Sequence, residues 1–268
     1  MNSNKSTVVF GSLLLASAAT PLGGARVQPS PPPQNRTPVV VELFTSEGCS
    51  TCPPADNLLV KLEQQQFVEG AEVIAVEEHV DYWNHDGWTD PFSSLHWTLR
   101  QREYAATFKI DGVYTPQMVV DGREQFVGSR MNEVTGSIRR NAQQHRAKVV
   151  ISEIATSAKQ TRQFQVTVTD LVDPPDGDSC DVWLLITEKG LRSLVNAGEN
   201  AGRNLQHASV LRWMHKIGQV NGRQTLFSGE STVKLKPSWN LQNLRAVTFV
   251  QAHRSKQILG AASLAFSR

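Results

Sequence analysis

The chain has no apolar run of bilayer length, few cysteines and no excess of either charge, and each shortage narrows what it can be. A helix that crosses a membrane takes about 20 consecutive apolar residues. The apolar stretch from Val8 to Ala16 falls well short of that, and no later segment is long and apolar enough, so no membrane span is expected. Three cysteines in 268 residues are too few for a disulfide scaffold. A formal net charge of +2 offers no basic stripe of the kind that nucleic acid demands. There is no second CxxC and no closely spaced histidine pair, so the usual spacing of a structural zinc site is missing.

What is present divides the chain into four parts. Residues 1–18 read as a secretory signal peptide: Lys5 is the only charge before Arg26, an apolar core follows, and Ala16-Ser17-Ala18 supplies small residues for cleavage. The competing reading is a disordered cytosolic tail. Residues 19–38 form a Pro-rich tether. Residues 39–147 and 148–268 are each long enough for a core of their own. This arrangement predicts a periplasmic or secreted protein.

In residues 39–147 strand and helix patterns alternate. Residues 39–44 are apolar except for Glu42, the mark of a strand buried on both faces. Residues 55–67 carry Leu58, Leu59 and Leu62 at helical spacing, 72–77 form a second strand, and 93–108 a second helix. Residues 117–120 and 124–127 flank Asp121-Gly122-Arg123, a hairpin turn. Met131, Val134 and Ile138 mark one face of a last helix. The order βαβαββα predicts a mixed sheet with a parallel first pair. Beyond Lys148, seven short strands (149–151, 164–168, 182–187, 210–213, 231–235, 246–250 and 258–264) predict an antiparallel, β-sandwich-like domain.

The loop between the first strand and first helix, Thr45-Ser46-Glu47-Gly48-Cys49-Ser50-Thr51-Cys52-Pro53-Pro54, resembles the active site of a thioredoxin-like fold. Taken with His79-Val80-Asp81-Tyr82-Trp83, Gly87-Trp88-Thr89-Asp90-Pro91-Phe92, Gln101-Arg102 with Tyr104, residues 113–122, and Glu199-Asn200-Ala201-Gly202-Arg203 with His207, the chain is similar to a secreted bacterial family, domain of unknown function 1223. These matches reach across nearly all of residues 39–268. The resemblance implies an α/β thioredoxin-like domain over 39–147; the family has no assigned reaction.

A thiolate is the reactive form of cysteine, and a position where a loop enters a helix favours it through free amide donors and the helix dipole. Cys49 is therefore the expected nucleophile, and Cys52 stands at the spacing of a resolving thiol. A structural disulfide, or a metal site made by the dithiol with His79 or His85, are the alternatives. Pro53-Pro54 moves the expected helix start to about Pro53 and weakens the dipole at Cys49.

By resemblance, Thr115–Pro116 is expected to be cis, to lie against Cys49 and to bind an extended substrate segment through its backbone; otherwise Pro116 simply opens a strand. Glu42 is either the buried acid that relays a proton to Cys52, as the resemblance implies, or an outward-facing residue. His79, Asp81, Tyr82 and Trp83 open a polar and aromatic segment running to Phe92, at the carboxyl end of the second strand where α/β sheets bind ligands. It is expected to be a wall beside the dithiol, or a loop that its tryptophans merely pack down. Glu199, Asn200, Arg203 and His207 are expected to hold a loop against the first domain. Cys180, between Asp178 and Asp181, reads as a bystander.

These readings predict a cell-envelope thiol–disulfide oxidoreductase whose partners are protein or small-molecule thiols and disulfides, with no cofactor and no metal. The alternative is a non-catalytic secreted binding protein with a structural Cys49–Cys52 disulfide. The direction of electron flow depends on local electrostatics rather than on the motif.

Overall fold

Backbone pairing starts two residues earlier than the apolar pattern indicates. The computed structural model describes residues 1, 36–157, 160–171, 177–221 and 226–266, and every statement below concerns these. The expected signal peptide, apart from Met1, and the expected tether up to Asn35 lie outside the described residues. The tether's last two residues, Thr37 and Pro38, instead begin strand β1 (Thr37–Thr45), where Thr37 donates to the carbonyl of Gly70. Proline is tolerated at such a position because it opens the strand.

Helix α1 (Pro53–Gln65), strand β2 (Ala71–His79), helix α2 (Leu95–Phe108), strands β3 (Gln117–Val120) and β4 (Glu124–Val127), and helix α3 (Met131–Ala142) follow in the expected order. β1 and β2 are parallel from Thr37–Ala71 to Thr45–His79, while β3 runs antiparallel to β1 and β4 to β3. Asp121 and Gly122, both in the left-handed region, make the hairpin turn.

The continuous apolar runs are explained by what lies on each face of the sheet. Val39, Val41 and Leu43 meet Leu58, Leu59 and Leu62 of α1 and Val134 and Ile138 of α3. The intervening Val40, with Ile74 and Val76 of β2, packs with Trp97 of α2 on the other face. α2 begins after Ser94, whose hydroxyl accepts from the His96 amide.

All seven strands expected in the second half are present: β5 (Lys148–Ile154), β6 (Thr161–Thr169), β7 (Cys180–Glu188), β10 (Val210–Val220), β11 (Phe227–Lys234), β12 (Leu244–Ala252) and β13 (Ile258–Ala265). A short hairpin, β8 (Arg192–Leu194) and β9 (Asn204–Gln206), adds to them. Their arrangement differs from a separate sandwich. β10 joins β2 through Val210–Glu77, giving one eight-stranded mixed sheet in the order β13-β12-β7-β10-β2-β1-β3-β4. Besides the β8-β9 pair, β11-β6-β5 forms a further antiparallel sheet. It packs Phe164, Val166 and Val168 against Val182, Leu184 and Ile186 of β7. Leu185, on the reverse face of β7, joins the core around Trp97 of α2.

Candidate functional site

The loop after β1 turns tightly into α1. Cys49 donates its amide to the Ser46 carbonyl and Cys52 to that of Cys49; Cys52 caps the helix, and its carbonyl receives the Ala55 and Asp56 amides. The regular helix starts at Pro53, as the two prolines require. Cys49 and Cys52 form a disulfide with a Cα–Cα distance of 5.4 Å. Both are fully buried while Ser50 and Thr51 between them are exposed. Cys180 is unpaired and buried, and burial with Asp178 and Asp181 pushes its thiol up to about 12.

The Thr115–Pro116 peptide is cis. Trp83 fastens this turn: its indole nitrogen donates to Thr115 Oγ1 over 2.7 Å, while its carbonyl presses on Gly48, leaving no room for a Cβ there. Pro116 meets Ala55 across Gly128, whose missing side chain lets the segment after β4 close on the start of α1. Tyr82 donates to Gln101 of α2, and Asp81 is tied to Thr98. Of the wall residues expected beside the dithiol, Trp83 touches its loop, whereas Asp81 and Tyr82 hold the wall to α2.

Glu42 is buried but lies on the α2 face of the sheet. Its carboxylate receives Arg100 and Tyr104 of α2, and Arg100 also approaches Glu78. Side chains alternate along a strand, so Thr45 and Leu43 face α1 and Glu42 cannot. The acid on the dithiol's own face is Asp56, one helical turn beyond Cys52. It accepts from Thr45 Oγ1 over 2.6 Å. Burial, reinforced by Glu77, pushes its carboxyl up to about 7.

His79 belongs to a buried group that includes three carboxylates unforeseen from the sequence. Its Nδ1 pairs with Asp90 at 2.7 Å, and its Nε2 lies 3.3 Å from Glu77 Oε1. His207 spans Glu77, at 2.9 Å from Nδ1, and Glu47, at 3.0 Å from Nε2. Burial disfavours charge throughout, yet the mutual pairing outweighs it. Asp90 and Glu77 raise His79 well above its usual value, and Glu77 and Glu47 raise His207 to about 9. His207 and His79 in turn hold Glu77 down at about 2 against the upward push of burial.

The second half supplies a cover. Asn200 is buried and donates to the carbonyls of Glu47 and Cys49, and the Glu199 carboxylate accepts from the Ser50 amide. The group expected to hold a loop against the first half does so through Glu199, Asn200 and His207; Arg203 stays exposed and closes its own loop through backbone bonds. A larger groove of about 670 Å³ lies elsewhere, between α2 and β10, lined by Trp97, Trp183, Trp213, Trp239, Arg212 and Phe92 among others.

A family described as a protein of unknown function (DUF1223) matches residues 40–251. Among solved structures, protein AGR_C_4864 of Agrobacterium tumefaciens aligns at 27% identity with a TM-score of 0.63, covering 88% of this chain and 97% of that one. HBP35 of Porphyromonas gingivalis aligns at 14% identity with a TM-score of 0.60, covering 87% of this chain and 76% of that one, a likeness of fold alone. No curated protein matches the chain.

Proposed function

The chain belongs to DUF1223, a family of proteins of unknown function, and from that premise we propose that it is a cell-envelope thiol–disulfide oxidoreductase built on a thioredoxin-like module. The observation that carries this reading is the Cys49–Cys52 disulfide at the entry to α1, with Trp83 joining its loop to Thr115 and with Asp56, its carboxyl raised to about 7, one helical turn beyond Cys52. A carboxyl poised near neutrality both takes up and releases a proton at working pH.

In the reduced protein, the Cys49 thiolate attacks one sulfur of a partner disulfide. A Cys49–partner bond forms, the partner's own S–S bond breaks, and the leaving sulfur takes a proton from water. Asp56 then accepts the Cys52 proton, and the Cys52 thiolate attacks Cys49 Sγ. The Cys49–Cys52 bond closes as the second partner thiol departs, so two electrons pass from the dithiol to the partner. With a partner dithiol and the oxidised protein, the same steps run backwards. The backbone beside Pro116 serves as the edge on which an extended partner segment lies.

Purified full-length protein should exchange with glutathione or a dithiol between about pH 6 and 9, where thiolates become available. Cys52→Ser should accumulate mixed disulfides on Cys49, and Cys49→Ser should neither trap a partner nor exchange. A wild-type disulfide that resists both reagents would sink the proposal. It would favour a binding protein with a structural disulfide, a reading supported by the burial of both cysteines and by the tryptophan-lined groove away from them.

A further inference from the structure

We propose that Glu77, His79 and His207 form a binding site for one divalent transition-metal ion, with two imidazoles and one carboxylate as ligands. Glu77 and His79 are two residues apart on β2 and so project to the same face. His207 arrives immediately before β10, the strand that pairs with β2. Glu77 Oε1 lies 3.3 Å from His79 Nε2 and 2.9 Å from His207 Nδ1, and one donor atom from each residue falls within 4.8 Å of the others. Donors around a four-coordinate ion with bonds of about 2.1 Å stand ~3.4 Å apart, so these side chains need shift only slightly to close on an ion.

His79 Nε2 supplies a second, independent observation. It is fully buried and has no well-directed hydrogen bond, although it points at Glu77. A buried ring nitrogen held only by an imperfect contact is costly. A metal ion among these three residues would use it.

The surroundings suit the role as well. Ligating histidines usually pass their other nitrogen to a carboxylate, which fixes the ring and strengthens it as a ligand. Both imidazoles meet that condition, His79 through Nδ1 on Asp90 and His207 through Nε2 on Glu47. Those carboxylates are themselves held: Asp90 by the Glu47 and Phe92 amides, Glu47 by the Trp88 indole. The free oxygen of Glu77 takes the Ala208 amide. The Phe92 ring closes one side, at 5.3 Å from the His79 ring and 5.4 Å from that of His207. On another side His207 lines an open groove of about 550 Å³ with Glu63, Glu72 and Lys189.

Two nitrogen donors with one carboxylate select zinc-like ions over magnesium or calcium, which prefer oxygen alone. Three protein ligands leave a fourth position for water or a small ligand. No thiol belongs to the set, so zinc binding does not require the exchange chemistry proposed above and survives if that fails.

The test uses untagged, full-length protein with its disulfide intact, stripped by a chelator and titrated with zinc(II) in a calorimeter. One ion should bind per chain, and His79→Gln and His207→Gln should each weaken binding at least ~10-fold. Absence of stoichiometric binding to the folded wild type, or binding unchanged in both variants, overturns the proposal. Should the variants fail to fold, cobalt(II) in the wild-type protein decides. Visible d–d bands without a thiolate charge-transfer band support nitrogen and oxygen ligation, and a charge-transfer band refutes it.

Discussion

Asp56 illustrates how one buried side chain trades stability for chemistry. Burial holds its carboxyl up at about 7 in the folded chain, against about 3.9 for a free aspartate. Between those values the folded state keeps a proton that the unfolded chain has lost, so its contribution to stability falls as pH rises through that window. Asp56→Asn keeps the acceptor for Thr45 and removes the charge. At about pH 8 it should be more stable than the parent by on the order of 2–4 kcal/mol, a gain that shrinks as pH falls through that window and is gone below about pH 4. Denaturant unfolding of the metal-free, oxidised protein across that range checks it. The same variant should slow dithiol exchange about 10-fold at neutral pH. A residue with a purely structural role would not gain stability while losing rate. Gly48 makes a simpler case: a Cβ there would stand 2.7 Å from the Trp83 carbonyl oxygen, and backbone cannot step aside as a side chain does. Gly48→Ala should cost roughly 1–3 kcal/mol, read as a lowered melting temperature, because it pries the Trp83 wall from the dithiol loop.

At the scale of elements, what the sequence disclosed followed from periodicity. β1 and β2 were legible because burial on both faces leaves a nearly continuous apolar run, and β6 because its Phe164, Val166 and Val168 alternate with half-exposed residues. The run Val182-Trp183-Leu184-Leu185-Ile186 in β7 carries the first signature rather than the second, and it marks a strand that extends the mixed sheet instead of one face of a separate sandwich. The site was half legible for a similar reason. Cys49, Cys52 and Pro116 announce themselves by residue type. Asp56 in the first turn of a helix reads as an ordinary dipole-complementing charge and Glu77 as the end of a strand, while His79 was legible only as part of a wall beside the dithiol or a ligand shared with it. Glu77 is paired in the interior by His207, 130 positions away, which no local pattern encodes. The loop before β9 lies over the dithiol loop through Asn200. Asn200→Ala removes two hydrogen bonds to the Glu47 and Cys49 carbonyls, worth about 0.5–1.5 kcal/mol each. If reduction proceeds through opening of this loop, a small phosphine should reduce the variant's disulfide about 5- to 10-fold faster than the wild type's. Equal rates would show that the cover does not gate the sulfurs.

The molecule as a whole depends on sharing one sheet between its halves. A fragment of residues 36–147 would keep the α1 and α3 core, since Leu58, Leu59, Leu62, Val134 and Ile138 all close on Val39, Val41 and Leu43 from within it. Its other face would be stripped. Val40, Ile74, Val76 and Trp97 are covered by Leu185, Leu211, Val247, Phe249 and Ile258 of the second half, and Arg100 and Tyr104 share Gln251. Each large apolar side chain returned to water forfeits about 1.5–3 kcal/mol, so a handful of them matches the whole stability of an ordinary domain, about 5–15 kcal/mol. Glu77 would lose His207 and the Ala208 amide as well, and a buried carboxylate without partners is costly in its own right. The fragment is therefore expected to lack a cooperative thermal transition and to bind a hydrophobic dye, whereas the chain from residue 36 to its end unfolds in one step. A fragment that melts cooperatively with its Cys49–Cys52 disulfide intact would mean that the first seven elements fold alone and that the second half is an addition to them.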